Sequence, residues 1–130
     1  MKISGCDVKD LKEQYGTPLY IYDENHLIKN MEGYLKYFKS DKFETEVLFA
    51  SKALNIKEII RLCMKEGMSL DCVSKAEIYT ALSVGFNPSN IYFHGNNKSY
   101  DDLVYAISNN IGVIVCDNLM ELEQIEIISK

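Results

Sequence analysis

The chain has no apolar run long enough to cross a bilayer. Its longest are strand-sized, which excludes a membrane-spanning helix. It has no block of Lys or Arg and no interleaving of basic with aromatic residues. With 14 basic residues against 19 acidic, a nucleic-acid surface is excluded as its main role. Histidine occurs only at His26 and His94, and no Cys or acidic cluster joins them at ligand spacing, so no metal site is expected. The cysteines, Cys6, Cys63, Cys72 and Cys116, form no C-x-x-C pair. Three of them lie in apolar patterns, which fits free thiols in a reducing cytoplasm better than disulfides or zinc. Residues Met1 to Asp7 contain no apolar stretch of the secretory type, in keeping with a cytoplasmic location. The loops carry neither Gly-x-Gly-x-x-Gly nor a Walker lysine loop. Ser51, Ser74 and Ser99 form no nucleophile–base–acid pattern with the histidines that would support hydrolase chemistry.

What is present is a repeat. Four β-rich runs recur at Val47 to Ser51, Met68 to Val73, Ile91 to His94 and Val113 to Cys116, starting 21, 23 and 22 positions apart. Each is followed by a helix-start signal: Asn55-x-x-Glu58, Ser74-x-x-Glu77, Ser99-x-x-Asp102 and Asn118-x-x-Glu121. The Ser74/Glu77 pair fits the reciprocal capping box best. Apolar stripes then mark the helices: Ile56, Ile59, Ile60, Cys63 and Met64; Ile78, Ala81 and Leu82; Leu103, Ala106 and Ile107; Leu119, Leu122, Ile125 and Ile128. All are read as core. Gly67 and Gly112 each precede a strand and read as helix-end or turn glycines.

Parallel strands joined by crossover helices demand a sheet covered on both faces. The 130 residues suffice for one small domain with a real core but not two. Two architectures fit: the first four units of a (β/α)8 barrel, or a small doubly wound parallel sheet. The barrel reading leaves two open sheet edges, a solubility liability that favours the doubly wound alternative. Ahead of the repeat, Tyr15-Gly16-Thr17-Pro18 marks a turn and Leu19 to Tyr22 an isolated strand. Asp23 can cap a helix with apolar positions Leu27, Ile28, Met31, Leu35 and Phe38.

Chemistry gathers at the C-terminal ends of these strands, where α/β sheets place ligands. Lys52 directly follows the first run, where an apolar strand gives its ammonium no packing reason to be. An amine in a low-dielectric pocket loses its proton more readily and attacks a carbonyl, including a cofactor aldehyde. The alternative is a stem that snorkels out of the sheet edge. Asp71 lies at the next exit, within reach of the amine, where it would favour positive charge; it can equally be a buried partner for Lys52 or a loop cap. At the third exit, His94 can stack, donate or fill space, Gly95 permits close backbone approach, and Lys98 reads as a surface or anion-facing charge. Cys116-Asp117-Asn118 forms a polar fourth exit.

Four ordered landmarks carry a resemblance. They are Tyr15-Gly16-Thr17-Pro18-Leu19-Tyr20, Phe49-Ala50-Ser51-Lys52-Ala53, Leu70-Asp71-Cys72-Val73-Ser74-Lys75-Ala76-Glu77, and Phe93-His94-Gly95-Asn96-Asn97-Lys98-Ser99. Together they resemble the N-terminal portion of the diaminopimelate branch of the pyridoxal-phosphate-dependent decarboxylases, whose barrel is like that of alanine racemase. The resemblance runs from about Tyr15 to Lys130. It implies that Lys52 holds pyridoxal 5'-phosphate as an internal aldimine, that Asp71 is the acid beside that linkage, and that His94 and Glu77 are further cofactor-site residues. The His-Gly-Asn-Asn-Lys segment favours the diaminopimelate branch over ornithine and arginine decarboxylases. Leu54 departs from the family, which often has asparagine after Lys-Ala.

The same resemblance implies a carboxy-lyase that converts meso-2,6-diaminopimelate to L-lysine in the cytoplasm, as a homodimer when complete, with a small-molecule amino-acid substrate and no nucleic-acid or membrane partner. Residues 1–23 are then an N-terminal segment whose strand joins a β domain, and residues 24–130 the first part of the cofactor-binding barrel. Family members are roughly three times this length. Further barrel units, the phosphate and substrate groups and the β domain are expected outside these residues, and the segment alone is expected to be inactive. The alternatives are an ornithine/arginine-type decarboxylase of the same family and a non-catalytic α/β binding module.

Overall fold

A computed structural model describes residues 1–130. A short antiparallel pair, β1 (Lys2–Ile3) and β2 (Cys6–Asp7), leads into helix α1 (Val8–Tyr15). The Asp7 carboxylate caps α1 by accepting from the Lys9 N–H at 2.8 Å. Leu19 to Tyr22 has no sheet partner and forms no ladder; it is an irregular connector with Tyr20 exposed. Helix α2 (Glu24–Tyr37) begins where sequence places it, with the Asp23 carboxylate accepting from the His26 N–H at 3.1 Å. Its Met31 is buried, and Leu27, Ile28 and Leu35 pack on the same core.

Four strand-helix units follow: β3 (Leu48–Ala50) with α3 (Lys57–Glu66), β4 (Ser69–Cys72) with α4 (Lys75–Leu82), β5 (Ile91–Phe93) with α5 (Tyr100–Ser108), and β6 (Val113–Ile114) with α6 (Leu119–Ile128). Every pairing is parallel, and the strand order β3-β4-β5-β6 is the chain order. A doubly wound sheet reverses its order at a switch point. No reversal occurs here, and α3 meets α4, α4 meets α5 and α5 meets α6, which puts the crossovers on one face. The architecture is therefore the opening part of a (β/α)8 barrel rather than the doubly wound alternative.

The ladder assigns each side chain to a face. Phe49, Leu70 and Ile91 form one row, and Cys72, Phe93 and Ile114 the next on the same face. Leu70, Cys72, Ile91 and Phe93 are fully buried against Ile59, Ile60, Ile78, Ala81 and Ala106 of the helices. Each fully buried Leu, Ile or Phe stabilises the fold by about 1.5–3 kcal/mol. The row Ala50, Asp71, Tyr92 and Val113 points the other way, because side chains alternate along a strand. That second face is the barrel's interior side. There the Glu46 carboxylate accepts from the hydroxyls of Ser69 and Tyr92, bridging three units. The bond to Glu46 is the main reason the Tyr92 hydroxyl is held above its ordinary pKa.

Helix starts differ in detail from their sequence signals. The complete reciprocal box forms at Ser99 and Asp102, not at Ser74 and Glu77. Ser74 accepts from the Glu77 N–H, but the Glu77 carboxylate reaches past it to the Val73 N–H. Asn55 is not a cap: α3 starts two residues later with Ile56 as its uncapped N-cap, because the Asn55 side chain is engaged elsewhere. The stripe of α6 also departs from expectation, since Leu119 and Leu122 are exposed while Glu121 is its one buried residue. Gly67 is a helix-end glycine as expected. Gly112 has a steric reason that sequence does not display: a Cβ there would sit 2.1 Å from the Ser89 carbonyl oxygen.

Candidate active site

β3 stops at Ala50, and Ser51–Ala53 makes a single 3-10 turn before α3. Ser51 is fully buried and Lys52 exposed, so the turn is anchored by one residue and presents the next. The anchor is a chain of side chains. Ser51 Oγ donates to Asn55 Oδ1 at 3.2 Å, and Asn55 Nδ2 donates to Thr80 Oγ1 on α4 at 3.3 Å. Thr80 in turn donates to the Ala76 carbonyl at 2.9 Å. Leu54, the position where the sequence departs from its family, packs partly buried against the core and leaves these polar contacts to Asn55.

Lys52 opens onto a cavity of about 570 Å³ lined by Lys52, Val73, His94, Gly95, Asn96, Asn97 and Asp117. These residues come from all four strand exits. Among them Lys52 is the one primary amine. It forms no ion pair, in particular none with Asp71. Asp71 is in register with Ala50, two residues short of Lys52, and its Oδ1 lies 3.9 Å from His94 Nδ1. The pairing anticipated for Lys52 is thus made by His94.

Glu77 does not line the cavity. Its carboxylate accepts from the Val73 N–H at 2.9 Å and from Ser74 Oγ at 3.2 Å, so its contact with the site passes through Val73. Gly95 adopts φ 123°, a region that L side chains rarely enter, and a Cβ there would lie 3.4 Å from the Val73 carbonyl. The exits of β4 and β5 therefore touch backbone to backbone. Lys98 is the clearest correction to the sequence reading. Instead of a surface charge it is buried, with Nζ 2.8 Å from Glu121 Oε1. Beneath the site, burial together with the charges of Glu77 and Asp71 pushes the Cys72 thiol up to about 12, against a hydrogen bond with Ser51 that lowers it. Cys72 is therefore a packing residue, not a nucleophile.

The comparisons decide the family. Residues 24–130 match the profile described as pyridoxal-dependent decarboxylase, pyridoxal binding domain. The chain belongs to this family. Among the family's curated members, the diaminopimelate decarboxylase of Bacillus subtilis (strain 168) is 42% identical over 130 residues, covering 100% of this chain and 30% of its own. That of Staphylococcus aureus (strain COL) is 40% identical over 126 residues, 97% of this chain and 30% of its own. The crystal structure of the Helicobacter pylori diaminopimelate decarboxylase, complexed with L-lysine, superposes with a TM-score of 0.83 at 30% identity, covering 95% of this chain and 31% of that one. The chain thus spans about 30% of the length of these curated relatives. No helix is long and apolar enough to cross a membrane.

The cavity's donor set fits the aldehyde-bearing end of the family's cofactor. It offers one accessible primary amine, an imidazole, two side-chain amides and a carboxylate at Asp117, with the Asp71–His94 pair beside it. Of these, sequence reading singled out Lys52, Asp71 and His94 as site residues. Asp117, named from sequence only as part of a polar fourth exit, joins them on the cavity wall, and Val73 enters through geometry.

Proposed function

We propose that the complete protein decarboxylates meso-2,6-diaminopimelate to L-lysine, with pyridoxal 5'-phosphate held on Lys52. The observation that carries this reading is that Lys52 is the single amine open to the cavity at the strand exits. The other lysine of the flanking loops, Lys98, is buried in an ion pair with Glu121 and does not line the cavity. Pyridoxal phosphate, when bound, supplies an electron sink for the charge left behind as carbon dioxide departs.

The chain's own residues do the rest. Lys52 provides the amine that holds the cofactor and is the candidate to carry a proton to or from the reacting carbon. The buried Ser51 and the Asn55–Thr80 link keep its turn in place, so little motion separates amine and cavity. Asp71 places a carboxylate beside His94 and favours positive charge at that side of the cavity. His94 lies on the cavity wall 3.9 Å from Asp71, while Asn96 and Asn97 offer amide donors. Glu77 acts at one remove by fixing the Val73 amide. Residues 1–23 serve as an N-terminal segment for a separate β domain and 24–130 as the cofactor-binding part of the barrel. Homodimeric assembly and a cytoplasmic setting, where thiols such as the exposed Cys6 and Cys116 stay reduced, belong to the same proposal.

Assay of the complete protein with diaminopimelate, ornithine and arginine tests the reading. Carbon dioxide release and L-lysine from diaminopimelate are expected. Turnover of ornithine or arginine with none of diaminopimelate would move the protein to the other branch of the family.

A further inference from the structure

Lys98 follows two asparagines in a loop, a setting in which a lysine ordinarily reaches into water. Here its ammonium is fully buried, donating to two backbone carbonyls and paired in charge with Glu121. The carbonyls are those of Gly95 and, at 2.9 Å, Val115, while Glu121 Oε1 lies 2.8 Å from the ammonium as its counter-charge without a hydrogen bond of its own. The ammonium also lies 5.7 Å from the centre of the Phe93 ring. Glu121 is recruited from a different task. It occupies the third position of α6, where Asp102 on α5 turns back to close a capping box. Glu121 keeps only the backbone half of that arrangement, its N–H donating to Asn118 Oδ1 at 2.9 Å, and sends its carboxylate inward.

Burying both charges is costly in desolvation, and apolar residues of similar volume would serve packing as well or better. What the pair adds is geometry. Gly95 lines the cavity directly, and Val115 precedes Cys116 and Asp117, of which Asp117 lines it too. A single ammonium therefore ties the β5 exit to the β6 exit and pins both to the first turn of α6. We propose that Lys98 is a positioning residue: with Glu121 it holds the His94–Asn97 loop and the Asp117 exit in the arrangement that receives the cofactor. The inference rests on the cofactor reading of the cavity given above.

The test uses the complete protein. Lys98→Met alone strands the Glu121 carboxylate in the interior and is the variant at risk of misfolding. The decisive variant is Lys98→Met with Glu121→Leu, which removes both charges together. It is expected to melt close to the parent, yet to lose hydrogen-exchange protection in residues 94–98 by tenfold or more. Its apoprotein should bind pyridoxal phosphate at least tenfold more weakly in an absorbance titration. If the double variant folds and binds pyridoxal phosphate with parental affinity, the pair is structural only and the proposal is overturned. Parental exchange protection in residues 94–98 would overturn it equally. A parent that binds no pyridoxal phosphate would instead sink the proposed function. The exchange measurement would still decide whether Lys98 holds the loop.

Discussion

Asn55 and Thr80, which belong to successive strand-helix units, are joined by a hydrogen bond of 3.3 Å that anchors the turn bearing Lys52. Asn55 also accepts from the buried Ser51, so one amide side chain connects the strand exit to α4. Thr80→Val removes the link at nearly constant volume. In the complete protein it should lower stability by about 1 kcal/mol, the net worth of a typical hydrogen bond. Asn55→Ala should cost more, about 1–3 kcal/mol, because it breaks both links of the chain and takes from the buried Ser51 hydroxyl its amide acceptor. Thermal melts check both. Titration with pyridoxal phosphate should show weaker binding for Asn55→Ala than for Thr80→Val.

Lys52 itself is exposed and contributes little packing. Lys52→Ala should change stability by no more than about 0.5 kcal/mol, as expected for surface positions. It should nevertheless abolish trapping of the cofactor. Borohydride reduction of the complete protein loaded with pyridoxal phosphate, followed by peptide mass analysis, should place the pyridoxyl mass on the peptide containing Lys52. Finding it on Lys75 or Lys98 alone would reject the assignment.

The part of the fold that sequence reveals is the part each unit encodes locally. Asp23, Ser74, Ser99 and Asn118 each cap the helix that follows them, and the apolar stripes of α3 and α4 bury at Ile59, Ile60, Cys63, Ile78 and Ala81. Lys52 was legible for the same reason, as a charge at the end of an apolar run. What sequence hides is long-range. The partner of Lys98 lies 23 residues on, at Glu121, and nothing near Lys98 distinguishes it from a solvated lysine. Asp71 sits with His94 because of ladder register, which a period-2 pattern does not report. The barrel order also had to come from the sheet, since the same strand-helix alternation suits a doubly wound fold.

The cysteines give a pH-dependent prediction. Burial pushes the Cys63 thiol up to about 11 and the Cys72 thiol up to about 12, both from an ordinary 9.0. Between these limits the unfolded chain has released protons that the folded one keeps. Stability is therefore fully present below about pH 9 and falls as pH rises toward 11 and 12. Denaturant melts across this range should show the decline, and Cys63→Val with Cys72→Val should flatten it. At pH 8, iodoacetamide should label the exposed Cys6 and Cys116 at least about tenfold faster than the two buried thiols, since the thiolate is the reactive form.

The last prediction concerns the 130-residue segment expressed by itself. Its sheet ends at β3 on one side and β6 on the other, and both present unpaired backbone groups. Leu119, Met120 and Leu122 of α6 are exposed, and an apolar cavity of about 360 Å³ lies open between α2 and β3, lined by Leu27, Met31, Val47, Leu48 and Met68 among others. Open edges beside exposed apolar surface favour self-association. The cavity at the strand exits holds a single lysine and no arginine, so once Lys52 is engaged with an aldehyde no lysine or arginine in its lining remains to pair a phosphate. Preorganised partners for developing charge supply much of an enzyme's rate. The segment should therefore sediment as oligomers or aggregates and release no measurable carbon dioxide from diaminopimelate, even where borohydride traps pyridoxal phosphate on Lys52. A monomer with a cooperative melt and no trapping would instead favour the binding-module reading. Release of carbon dioxide at the rate of the complete protein would mean that copies of the segment assemble a full site between them.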